Sequence, residues 1–186
     1  MTFTVSDAQR LSRSLVGELR PRWDHLQAVG RRAEGLCELS GMSERVAVAA
    51  WLHDIGYGPK IASTGFHPLD GARFLIDQGV CSEVVRLVAW HTGAAFEASE
   101  RGLLGQLEQI EQPTAAELDA LTMIDLATGP TGEAVLDVDR IAEILSRYEE
   151  GHPVHDAVMA SSESLLASSA RAKRALGLPQ NWPVFP

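Results

Sequence analysis

Cysteine is nearly absent from this chain: Cys37 and Cys81 are the only two in 186 residues. That excludes a disulfide scaffold and an all-cysteine zinc site, and it predicts two buried thiols in a reducing cytoplasm. No apolar run approaches the about 20 residues that cross a bilayer. The longest is Val46 to Leu52, so no membrane contact is expected. The opening MTFTVSDAQR lacks the basic head and apolar stretch of a secretory signal. Bases are scarce, 16 against 25 acids for a net charge of −9, which argues against binding a long nucleic acid. The deficit is uneven. Residues 1–60 hold 8 bases and 7 acids, whereas residues 61–170 hold 5 and 18. A small anionic substrate stays compatible with this balance, because one cleft can be locally positive whatever the total. Repeats, low-complexity tracts, domain linkers and the strict alternation of half-buried strands are also missing.

What is present is ordinary globular material, 45% apolar and 22% charged, long enough to bury a core without staples. The expectation is a single domain over residues 1–186, helical throughout. Ser6-Asp7 can cap a first helix, and Pro21 suits the start of a second that stops near Ser40-Gly41. Ser43 caps a third from Val46 to Asp54. Pro68 opens a fourth that Gly79 closes, and Ser82 to His91 is a fifth. A sixth is expected from about Glu97 to Ile110 and a seventh from Thr114 to Thr128. Asp137 to Glu150 and Val154 to Leu176 complete the set, packed on the rest.

Six polar residues do not suit a plain helical core: His25, His53, Asp54, His67, His91 and Asp125. His25 shares a stripe with Val29, Ala33 and Leu36, and His53 follows Val46, Ala49 and Ala50. His91 follows Val84, Leu87 and Val88, and Asp125 follows Leu118, Leu121 and Thr122. Helical spacing therefore points these side chains inward, where a carboxylate is costly unless a cation or several donors meet it. If neighbouring helices run antiparallel, all six residues fall at the same end of the bundle. Asp54 and Asp125 sit at helix C-termini, which disfavour negative charge, and a divalent cation between them reverses that penalty. Imidazoles and carboxylates from separate helices suit a transition metal. The other reading is that the two aspartates cap loop amides or pair with arginine.

The ordered set of His25, the adjacent pair His53-Asp54 within AAWLHDIGYGP, and distant Asp125 within MIDLATGPTG resembles the HD-domain superfamily of metal-dependent phosphohydrolases. The resemblance spans about residues 20–130 and implies an all-α, HD-domain-like helical bundle. It also implies that His25, His53, Asp54 and Asp125 bind one metal. His67 in FHPLDGARFL and His91 in VAWHTGA match the extra histidines of binuclear members, with Asp54 bridging two ions. The implied cofactor is one or two divalent ions, with Mn, Fe, Co, Ni, Zn and Mg all compatible. The implied activity is hydrolysis of a small phosphoester, a nucleotide included, by metal-activated water, with Asp54 catalytic. Lys60, just after HDIGYGP, is a candidate phosphate contact. Two rivals share the ligand set, an HD-type di-iron oxygenase and a non-catalytic metal- or nucleotide-binding protein. Trp23, Trp51 and Trp90 are expected to fill core, and Arg171, Lys173 and Arg174 to form a solvated face.

Overall fold

The longest apolar run of the sequence lies at the centre of the molecule. In a computed structural model, which describes residues 3–183, Val46 to Leu52 are all buried within α3 (Glu44–Leu52). A helix apolar on every side needs neighbours on every side. Here these are α1 (Val5–Val16), α2 (Arg22–Ser40), α5 (Ser82–Trp90) and α8 (Ala115–Leu126). The last is a second interior helix, buried from Asp119 to Leu126. The remaining helices are α4 (His67–Asp77), α6 (Ala94–Glu100), α7 (Leu104–Leu107), α9 (Asp137–Arg147) and α10 (Pro153–Ala175). Short 3-10 turns occupy Ile55–Tyr57 and His91–Gly93. Among the described residues there is no strand, only an isolated bridge between Thr128 and Ala134. The all-α expectation is met. No helix among them is long and apolar enough to cross a membrane.

Helix boundaries follow local chemistry. Thr4, rather than Ser6-Asp7, caps α1: its hydroxyl accepts from the Asp7 amide while the Asp7 carboxylate accepts from the Thr4 amide. Gly41 ends α2 in the left-handed conformation (φ 69°). Thr114 caps α8 by accepting from the Glu117 amide. The single helix expected over 97–110 is instead two, α6 and α7, because the chain turns left-handed at Gly102 (φ 67°) between them. One close approach locks α2 to α3. A Cβ on Gly30 would lie 2.3 Å from the Trp51 ring, and the Trp51 indole N–H donates to Glu34 at 2.7 Å.

The C-terminal helices are tied down by charge. Arg171 grips Asp119 of α8 through two bonds of 2.7 Å. Lys173 is not on a solvated face. It is buried, donating to Asp137 Oδ2 at 2.7 Å and to the Gln180 carbonyl at 3.0 Å, while the Ser169 hydroxyl donates to the same Asp137 oxygen. The thiols also depart from expectation. Cys81 is exposed just ahead of α5, and Cys37, in the last turn of α2, is only half-buried at the edge of the core it packs against.

Candidate metal centre

All six unusual polar residues meet at one end of the bundle. His25 comes from the first turn of α2, and His53-Asp54 from the end of α3. His67 opens α4, His91 follows α5, and Asp125 lies in the last turn of α8. The His25, His53 and Asp54 side chains are at most 3% exposed, and those of His67 and Asp125 12%; His91 is buried. His25 Nε2 lies 3.0 Å from Asp125 Oδ1 and 4.0 Å from Asp54 Oδ2. His53 Nε2 lies 3.6 Å from Asp54 Oδ2 and 3.9 Å from Asp125 Oδ1. On the other side of Asp54, His67 Nε2 lies 3.2 Å from Oδ1 and 3.2 Å from His91 Nε2. Ligands bound at about 2.1 Å to one ion stand about 3–4 Å apart for bond angles of 90° and above. The measured separations fall in that range.

The hydrogen bonds behind the rings aim them. Nδ1 of His25 faces the Gly129 carbonyl at 3.1 Å, that of His53 the Ala50 carbonyl at 2.8 Å, and that of His91 the Val88 carbonyl at 2.6 Å. A carbonyl only accepts, so each of these rings carries a proton on Nδ1 and turns its Nε2 to the centre. This is the arrangement that orients metal-binding histidines. Burial, acting against the charged form, holds the His53, His67 and His91 rings below the ordinary imidazole range despite the nearby carboxylates. His53 Nε2 has no hydrogen-bond partner and no access to water, a deficit of about 1–3 kcal/mol for a buried polar atom. An orphaned lone pair among two carboxylates and three further imidazoles fits a divalent cation. The groups His25, His53, Asp125 and His53, Asp54, His91 each gather their ligand atoms closely enough to hold one.

Electrostatics keep the carboxylates ionised. Burial alone would raise the Asp54 carboxyl, but the Arg22 guanidinium and the His53 and His67 rings outweigh it and hold it well below the usual range. Asp125 behaves likewise: burial raises it, and His25 and His53 overcome that and lower it. Arg22 Nη1 donates to Asp54 Oδ2 at 2.8 Å. Its guanidinium lies 4.0 Å over the Tyr57 ring, which stacks on His67 at 4.1 Å. The arginine-pairing alternative for Asp54 is therefore partly realised, alongside the imidazole cluster rather than in place of it. One guanidinium against two buried carboxylates leaves net negative charge facing the imidazoles.

Two backbone features hold the arrangement. A Cβ on Gly56, within the HDIG string, would lie 2.0 Å from the His67 carbonyl oxygen. Only glycine lets the start of α4 approach the His53-Asp54 turn. Thr92 is the one non-glycine at positive φ (39°) among the described residues, a strained conformation for a β-branched side chain. There its hydroxyl donates to Asp125 Oδ2.

The centre opens into a cavity of about 110 Å³. Arg22, Tyr57, Thr92 and Glu97 stand on the metal-cluster side, and the opposite wall comes from α9 and α10 and the turn joining them. That wall carries the aliphatic side chains of Ile141, Ile144, Val154, Val158 and Leu165, with Arg140, Arg147 and Tyr148 among them. Lys60 is exposed and does not line this cavity; after Tyr57 the chain turns at Gly58, whose carbonyl accepts from Ile61 and Ala62. Arg86 pairs with Glu111, and Trp23, Trp51 and Trp90 are in the core. Sequence reasoning missed Arg22, Thr92, Arg140 and Arg147. Arg22 had a signal, standing three residues before His25 on the same helical face. Nothing local marked the other three.

The family model for the HD domain matches residues 22–124, more than half the chain and ending one residue before Asp125. No match was found among curated proteins or among solved structures.

Proposed function

The chain belongs to the HD-domain family, and on that premise we propose that it is a metal-dependent phosphohydrolase acting on a small phosphoester. The observation that carries the reading is the convergence of His25, His53, Asp54, His67, His91 and Asp125, with a bare, partnerless Nε2 on His53 beside arginine side chains. In this reading His25, His53, Asp54 and Asp125 hold one divalent ion, and Asp54, His67 and His91 a second. A divalent cation there supplies Lewis acidity toward a phosphoryl oxygen and lowers the pKa of water.

The chain's own residues do the rest. The three backbone carbonyls fix the ring orientations, so the site needs little reorganisation on binding. The Thr92 hydroxyl occupies Oδ2 of Asp125 and leaves Oδ1 to the histidines. Arg22 is placed to meet phosphate charge next to Asp54, and the aliphatic wall of α9 and α10 excludes water. In this reading recognition of the reacting phosphate passes from Lys60 to Arg22, because Arg22 lines the cavity beside Asp54. The test is elemental analysis of protein purified without chelator, then phosphate release from a panel of phosphoesters with each divalent metal. Release with at least one metal, abolished by His53→Ala, is the expected result. Oxygen consumption with iron and no phosphate release from any ester would overturn it in favour of the di-iron oxygenase.

A further inference from the structure

The cavity at the metal cluster is small. Its about 110 Å³ equals roughly four water volumes, below the about 300–1,000 Å³ of ordinary small-molecule sites. Its α9–α10 wall pairs the aliphatic Ile141, Ile144, Val154, Val158 and Leu165 with the cationic Arg140 and Arg147, a lining that suits a short carbon skeleton with an anionic end. A second cavity of about 330 Å³ adjoins it, and the two share Arg22, His25, Arg140 and Arg147 in their walls. Arg20, Pro21 and Pro130 complete the second one. Four arginines thus line one space in a chain of net charge −9.

Their present partners are weakly held or committed elsewhere. Arg20 pairs with Asp24 on an exposed helix turn, and Arg22 with Asp54. Arg140 and Arg147 both reach the single carboxylate of Glu143, which is 36% exposed. Pairs three or four residues apart on an exposed helix face contribute only about 0.2–0.5 kcal/mol each, so at the exposed Arg147 an incoming anion can replace Glu143 at little cost. Two guanidiniums meeting one carboxylate also show the spacing at which they grip a planar or tetrahedral anion. Arg140, 8% exposed, is a buried cation met by the half-exposed Glu143 and, at longer range, by the exposed Glu133. Both arginines lie on α9, beyond the 22–124 span of the family match, so the C-terminal segment supplies two of the four cations of this space.

Resting on the phosphohydrolase reading, we propose that the arginine-lined cavity binds a second anionic group of the substrate. The substrate is then a short aliphatic phosphate monoester bearing a carboxylate or a further phosphate, with its carbon skeleton against Ile141 and Ile144.

The test uses two non-hydrolysable probes on the protein as purified. These are propylphosphonate, with one anionic group, and phosphonopropionate, which adds a terminal carboxylate; methylenediphosphonate tests a second phosphate-like group. Calorimetry should show one of the doubly anionic probes binding about tenfold or more tightly than propylphosphonate, the gain from one charge-assisted contact pair. Arg147→Gln and Arg20→Gln, both at exposed positions, should together reduce that preference to about threefold or less and leave propylphosphonate affinity unchanged. Equal affinity for all three probes would overturn the proposal, as would a preference that survives both substitutions. Binding is read without turnover. A preserved preference with no phosphate release from any ester would remove the hydrolase reading alone.

Discussion

Asp54→Asn separates the observed role of Asp54, neutralising Arg22, from its proposed role of holding a metal. The substitution keeps the side-chain shape and removes the charge. Asp54 is 3% exposed and Arg22 25%, with 2.8 Å between Nη1 and Oδ2. At an effective dielectric of 20 the Coulomb attraction of such a pair is about 4 kcal/mol. The amide oxygen of Asn retains a neutral hydrogen bond, and the part-exposed guanidinium regains some hydration. The net loss is therefore about 2–3 kcal/mol, in the range for a hydrogen bond to a charged group. In chelator-treated protein this lowers the melting temperature by about 5–10 °C for a chain of this size. The assay is urea and thermal unfolding of wild type, Asp54→Asn, Arg22→Met and the double variant, all metal-free. The double variant should recover about 2 kcal/mol relative to the sum of the singles, yet bind no more metal than Asp54→Asn. Strict additivity, or a single variant as stable as wild type, would refute the claim that the pair is a coupled buried interaction.

Other perturbations probe the same centre. Gly56→Ala forces a Cβ against the His67 carbonyl and should cost about 3 kcal/mol or more, with weakened binding of one ion of two; unchanged stability would refute the close approach. His67→Ala and His91→Ala should each lose one ion of two by elemental analysis, and a wild type that binds a single ion at saturation would reject the binuclear site. Metal-free protein should lose stability between pH 7 and pH 5. His53, His67 and His91 titrate lower in the fold than their ordinary 6.5, so below that value the unfolded chain takes up more protons. A flat or rising stability over that window would contradict the burial. Lys60→Ala should leave turnover unchanged, and a raised KM would return a substrate role to that lysine.

The sequence by itself determined the helices, their order, the placing of His25, His53, His91 and Asp125 on inward stripes, and the position of all six polar residues near helix ends. These depend on periodicity and capping, which act within one or two turns and are written in neighbouring residues. The apolar run Val46 to Leu52 already marked a helix with no solvent face. Even at this range a single local conformation could mislead, as Gly102 did by splitting the expected sixth helix. The tertiary structure alone decided what each charged group meets. Arg22 finds Asp54 at a separation of 32 residues, the His25 ring finds the Gly129 carbonyl at 104, and Lys173 finds Asp137 at 36. No helical period relates such positions, so a lysine that looked solvated is buried and the lysine beside the HDIG string lies outside the cavity. The wall facing the His/Asp cluster is of the same kind. Arg140 and Arg147 read as ordinary residues of an amphipathic helix, and only the packing of α9 and α10 turns them toward the centre, because burial of their aliphatic neighbours fixes which face of each helix points inward.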